Sequence, residues 1–224
     1  MRSHVSSIIT RCFNKKRLNI LTCPTHERYQ SGLDLVDANF WMWRGPGIKD
    51  WNNNYGAIPK NHFLLPYCVN NNISYEALNG NTLPVGIDFD LVLSQNKFGQ
   101  YQVLRIISDL LHIPIIHLEH TLPYPAWSTG KMNELYNMSA NETVFISDYS
   151  RNKWGYSEKD SIVIEHCVDT DLFKYDGGHR QNVVLTVVND YINRDYCCGY
   201  GIYKVATKDI PTRPVGDTPG FSKP

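Results

Sequence analysis

The sequence predicts an α/β protein built on a parallel sheet covered by helices, and three observations carry that prediction. Short runs that are apolar at nearly every position recur along the chain, as strands buried on both faces of a parallel sheet must. Segments of helical periodicity lie between them, the alternation that builds βαβ units. Polar and charged residues cluster directly after the runs, where loops at the carboxyl ends of such strands would lie.

The runs are LNILTC (18–23), HFLLPYC (62–68), DLVLSQ (90–95), IPIIHL (113–118), TVFISD (143–148), SIVIEH (161–166) and NVVLTVV (182–188). Between the third and fourth, Val103, Ile106, Ile107 and Leu110 repeat at helical spacing and complete one βαβ unit. A second helix is expected from Ser128, whose hydroxyl can cap it. A third is expected from Ser147, with Asp148 placing a carboxylate in the first turn. The stretch WMWRGPGIKDWNNNYGAIPKNH (41–62) is rich in Trp, Gly, Asn and Pro and reads as a long surface loop.

Composition narrows the function classes. Of 224 residues 42% are apolar, enough for a packed core. Lys plus Arg balances Asp plus Glu at 22 each, so no global field draws the chain to nucleic acid, an anionic membrane or an acidic substrate. Recognition must be local. No apolar run is long enough to span a bilayer, and no transmembrane segment is expected. The six cysteines, Cys12, Cys23, Cys68, Cys167, Cys197 and Cys198, form no CxxC pair and no zinc-ligand spacing, so reduced thiols and a cytoplasmic location are expected. Residues 1–17 are basic and free of acids; they suit a frayed tail, with an organelle transit peptide as the other reading. Sequons at Asn72, Asn137 and Asn141 would matter only in a secreted protein, and no signal peptide is apparent.

The polar clusters are THERYQSG (25–32), SQNKFGQYQ (94–102), LEHTLPYPAW (118–127) and SDYSRNKW (147–154). In open parallel sheets the ligand sits outside the carboxyl ends of the strands. On that rule His26, Glu27, Arg28, Gln95, Lys97, Glu119, His120 and Arg151 are expected to converge on one cleft as a substrate-binding set. Two readings stay open for several of them. His120 is either an ordinary loop histidine or an imidazole held on a rigid Pro-rich turn, able to donate to developing charge near neutral pH. Arg28 and Lys97 are either solvated charges or a cleft pair suited to phosphate or sugar hydroxyls. The Ser31-Gly32 step is either a helix start or a close backbone approach for a ligand.

Other chemistries fit less well. Asp88-Phe89-Asp90 has an Asp-x-Asp metal-site pattern but precedes its strand, at the amino end of the sheet, away from any such cleft. Asp169 and Asp171 are better placed to bond turn amides. No run is followed by a nucleophile elbow, so hydrolase triads are not expected.

The segment VIEHCVDTDLF (163–173) resembles the domain-crossing motif of retaining, family-4-like glycosyltransferases of the GT-B fold, roughly Val-Ile-x-Asn-Gly-Val-Asp-x-x-x-Phe. FISDYSRNKW (145–154), FDLVLSQN and IPIIHLEHT resemble the segments that precede that motif, in the same order. His166-Cys167 stands where the family has Asn-Gly. The resemblance covers roughly residues 18–217 and implies a Rossmann-like acceptor-side domain over 18–170 and a linker over 171–182. The start of a second Rossmann-like, nucleotide-sugar-binding domain would occupy 183–224, truncated before the family's Glu-x7-Glu carboxylates. It further implies transfer of a sugar from a nucleotide-sugar substrate to an acceptor, with no cofactor and no metal. His120 would face the transferred sugar as the catalytic residue, and Asp190 and Arg194 would bind the donor. The other reading is a non-catalytic glycan- or nucleotide-binding remnant or subunit, completed by self-association or by a partner chain.

Overall fold

A computed structural model describes residues 17–69, 83–84, 86–171, 173–179, 181–218 and 220–221; most of the basic tail (1–16) and the Asn72 sequon lie outside the described residues. The chain divides into two units. One runs through Thr121 and includes Ser128–Glu165; the other comprises Leu122–Trp127 and the residues from His166 onward.

The first unit is built on seven parallel strands: β1 (Leu18–Thr22), β2 (Ala38–Arg44), β3 (His62–Tyr67), β4 (Leu91–Ser94), β5 (Ile115–Glu119), β6 (Glu142–Phe145) and β7 (Ile162–Val163). Their order in the sheet is β3-β2-β1-β4-β5-β6-β7. Strand order therefore reverses between β1 and β4, as in Rossmann-like sheets, and opens a crevice there at the carboxyl edge. The expected parallel α/β sheet is present.

β2 corrects the sequence reading, which assigned residues 41–62 to a loop. Trp41–Arg44 end a strand that pairs with β1 on one side and β3 on the other. Phe40, Met42 and Trp43 are buried. The Gly, Pro and Asn that follow belong to a true loop containing a 3-10 turn at Asn53–Tyr55, and their composition hid the strand before them. Asn19 makes β2 tolerable beside β1: its Oδ1 accepts from Asn39 Nδ2 at 3.1 Å and Trp41 Nε1 at 3.2 Å.

Among the described residues four helices follow strands in this unit: α1 (Glu27–Gly32), α2 (Gln100–Leu111), α3 (Thr129–Tyr136) and α4 (Asp148–Trp154). Connections of opposite sense leave β1 and β4, so by the right-handed crossover rule their helices cover opposite faces of the sheet. On one face Ile20, Ala38 and Phe40 pack with Leu33 from the 3-10 turn that continues α1. On α2 the buried positions are Gln100, Tyr101, Leu104, Ile107 and Ser108, so the core face is rotated away from Ile106, which is exposed. Ser128 caps α3 by accepting from Lys131 N, and Ser147 caps α4 by accepting from Ser150 N, both where expected.

The second unit contains β8 (Val184–Val187) paired in parallel with β9 (Thr212–Val215), joined through α5 (Asp195–Cys198) and α6 (Tyr200–Ala206). Tyr191 is its buried centre, ringed by Tyr200, Tyr203 and Phe221. Among the described residues no helix is long and apolar enough to cross a membrane.

Candidate functional site

Parallel strands put every loop that leaves a strand's carboxyl end on one edge of the sheet. His26, Glu27 and Arg28 follow β1, Gln95 and Lys97 follow β4, Glu119 and His120 stand at the end of β5, and Arg151 is in α4 after β6. All eight expected residues of this set lie toward that edge. They separate there into a surface group and a buried group.

Glutamines stitch the crevice between β1 and β4. Gln95 donates from Nε2 to Gln30 Oε1 at 2.7 Å, and Gln100 donates from Nε2 to the Pro24 carbonyl at 2.7 Å and to Thr25 Oγ1 at 3.0 Å. All three glutamines are buried, and Gln30 Nε2 has no hydrogen-bond partner among the described residues. His120 lies above them. Its Nε2 is 3.0 Å from the Gln95 carbonyl oxygen, and its ring packs on Tyr29 with centroids 4.6 Å apart, while Tyr29 meets His26 edge-on at 5.8 Å. A carbonyl only accepts, so Nε2 carries the proton of this bond. His26, Arg28 and Tyr29 are exposed and His120 half-buried. These four form the face that a ligand can touch.

The loop after β2 reaches the same place. Gly99, which precedes α2, has φ +89°, and a Cβ there would stand 3.2 Å from the Gly47 carbonyl oxygen. Glu27, expected to bind substrate, instead anchors this loop. It is buried and accepts from Lys49 Nζ at 2.8 Å and Asn52 N at 3.0 Å. Burial works against its charge, but these bonds prevail and hold its carboxyl below the usual range.

Lys97, Glu119 and Arg151 also turn inward. Lys97 is only 2% exposed; its ammonium donates to the Leu135 carbonyl at 3.0 Å and sits 4.3 Å above the Trp154 ring. Burial pushes its pKa down, and the Glu119 charge opposes that shift. Glu119 accepts from Thr121 N at 2.9 Å and Thr121 Oγ1 at 2.6 Å. Burial works to raise its pKa; these bonds and the neighbouring His117 more than offset this, and the carboxyl is held below its ordinary value. His117 shares the Glu119 face of β5, as residues two apart in a strand do. Its Nδ1 is 3.1 Å from Ser94 Oγ, and its Nε2 stands 3.5 Å from Glu119, too far for a good hydrogen bond. Burial lowers the His117 pKa, which favours a neutral imidazole there. Arg151 is buried between Asp148 at 2.7 Å and Glu158 at 3.2 Å. None of these three presents its charge at the opening; they hold the loops that do.

Tyr29, Gln30, His117 and Thr121 escaped the sequence reading. Two of them carried a readable signal: Gln30 is one helical turn after Glu27, and His117 is in strand register with Glu119.

In the second unit Asp190 adopts φ +49° directly after β8, and its Oδ1 accepts from Asn193 Nδ2 at 2.7 Å. Arg194 is exposed and precedes α5. Asp88 and Asp90 lie at the amino edge, where Asp90 Oδ2 accepts from Asn19 N at 2.8 Å, and Asp169 accepts from Asp171 N at 2.9 Å as turn chemistry. Among the described residues no group of three or more His, Cys, Asp or Glu is arranged to hold a metal. No protein-family model matches the chain, and no curated protein matches it.

Proposed function

We propose that the chain acts in sugar transfer from a nucleotide sugar, the first unit being the acceptor-side part of a GT-B-type glycosyltransferase. The observation that carries this reading is His120, held by Gln95 and Tyr29 beside the crevice where strand order reverses. An imidazole so held, its ring packed on an aromatic neighbour, suits a sugar hydroxyl. The exposed His26, Arg28 and Tyr29 supply further donors and an apolar face of the kind glycans use. Arg194 is the group suited to the donor's diphosphate, where a guanidinium bonds two oxygens at once and takes up the charge that develops as the sugar leaves.

A second reading, a glycan- or nucleotide-binding module without turnover, draws on the second unit. Leu185, Val187, Ile202 and Val205 are each more than 60% exposed there, so its two-stranded sheet and α6 do not bury their own apolar residues.

The test is titration of the chain with a panel of nucleotide sugars and free glycans, followed by mass-spectrometric detection of product. Saturable donor binding that weakens on Arg194→Ala, with transfer abolished by His120→Ala, supports the transferase. Glycan binding that needs His120, with no donor bound and no product, supports the binding module. No ligand of either kind overturns both.

A further inference from the structure

Cys197 and Cys198 are consecutive in sequence and half-buried, with their sulfur atoms 3.7 Å apart. They end the four-residue helix α5, and the chain then turns through Gly199 at φ +72°. Both Cys amides donate to the Arg194 carbonyl, at 3.1 Å and 2.8 Å, and the Cys197 thiol points to the same oxygen at 3.4 Å. Gly201 N donates to Asp195 Oδ1 at 2.7 Å. The turn is thus held mainly by bonds that need a helical backbone.

We propose that this pair is a modification site, a dithiol that a hydroperoxide converts reversibly to a disulfide between neighbouring residues. From 3.7 Å apart, neither thiol needs to travel more than about 2 Å to reach bonding distance, since a sulfur–sulfur bond is about 2.0 Å long. In the first step one thiolate attacks the terminal peroxide oxygen, giving a sulfenic acid and releasing an alcohol. In the second the other thiol attacks that sulfur; the S–O bond breaks, the S–S bond forms, and water leaves. Two thiols and one hydroperoxide thus become one disulfide, one alcohol and one water. Burial and the neighbouring Cys197 push the Cys198 thiol up, and the Arg194 guanidinium only partly opposes them, so the closeness of the two sulfurs rather than an activated thiolate carries the site.

The consequence lies in the backbone. Consecutive Cα atoms are held about 3.8 Å apart, closer than the roughly 4.4–6.8 Å of ordinary disulfides. The ring closes only if the peptide between the cysteines leaves its helical geometry. Oxidation therefore breaks the bonds to the Arg194 carbonyl and releases Asp190–Gly201 from its present turn. Cys23 and Cys68 are buried elsewhere, so neither competes, whereas Cys167 is exposed and serves as an internal control.

The experiment treats reduced full-length protein with one equivalent of a hydroperoxide, blocks remaining thiols with a maleimide, and maps peptides by mass spectrometry with and without dithiothreitol. The expected result is loss of two hydrogens from the peptide holding Cys197 and Cys198, no label on either, and reversal by the reductant. Amide exchange at residues 197–201 should quicken about tenfold or more in the oxidised form. Cys197→Ser and Cys198→Ser should each leave a sulfenic acid that a dimedone probe captures and should show no such exchange change. Full maleimide labelling of both cysteines, a link to Cys167 or to a second copy, or a disulfide with unchanged exchange overturns the proposal.

Discussion

His120 donates its Nε2 proton to the carbonyl oxygen of Gln95, 3.0 Å away, and so ties the end of β5 to the loop that leaves β4. One bond sets both the ring's direction and its tautomer. This bond can be separated from the rest of the ring by substitution, because a glutamine amide reaches the Nε2 position without supplying the imidazole.

His120→Gln is expected to keep the bond to Gln95 and the stability of the parent, yet to weaken sugar-dependent binding or transfer tenfold or more. His120→Ala is expected to lose the same activity and about 1 kcal/mol of stability besides, the usual worth of such a bond. Urea denaturation alongside titration checks both. Equal ligand affinity in His120→Gln and the parent would remove the imidazole from the site.

Lys97 is expected to matter through folding. Lys97→Ala removes the cation that faces buried Glu119 and the stem that packs on Trp154, and should cost about 3–5 kcal/mol. Pairing Lys97→Met with Glu119→Gln removes both charges and keeps volume, and should recover most of that loss. A double variant no better than Lys97→Ala in denaturation midpoint would show that the charge interaction between Lys97 and Glu119 is not what the alanine disrupts.

Acid should destabilise the fold, and His62 is the clearest source. Buried against Phe40, its pKa is lowered from 6.5 to about 4, with burial the leading cause and Asp34 opposing it. A depressed histidine contributes stability that is full above the unfolded value near 6.5 and disappears as pH falls toward 4, because only the unfolded chain binds the proton readily. The difference amounts to about 3 kcal/mol. Glu27 and Glu119, both depressed, add losses in the same direction below about pH 4.3. Denaturation midpoints at pH 7 and pH 5 should differ in the parent and differ less in His62→Gln; an unchanged difference would assign the effect to other groups.

Gly99→Ala tests the closeness of the two loops. A methyl group at φ +89° meets the Gly47 carbonyl at 3.2 Å, and strain of about 1–3 kcal/mol is expected. Gly47→Ala, with φ +77° and open space around its Cβ, should show the conformational part of that cost without the contact. A larger loss at Gly99 than at Gly47 in thermal denaturation would confirm the approach.

Much of the architecture was readable from residue order. Among the described residues, seven of the nine strands coincide with apolar runs; for the central ones the reason is that a strand covered on both faces must be apolar and leaves a mark that survives without neighbours. Ser128 and Ser147 announced two helices for an equally local reason: an N-cap acts within three residues of itself. β2 was hidden because its neighbour in sequence is a loop and its partners, β1 and β3, are neighbours only in space.

The candidate site divides along the same line. That His26, Arg28, Gln95 and His120 share one edge follows from strand order along the chain, since parallel strands end on the same side whatever their sequence. Which of the polar residues there faces outward does not follow. Lys97, Glu119 and Arg151 look in sequence like ligands for a substrate, and the fold turns them instead to the Leu135 carbonyl, to Thr121 and to Asp148. Burial of a charge depends on finding partners within a few ångströms, and those partners, Leu135, Thr121 and Glu158 among them, are brought into range only by tertiary packing. The sequence by itself determined the sheet, its polarity and the edge where chemistry would gather; tertiary structure alone decided which charges that edge would show.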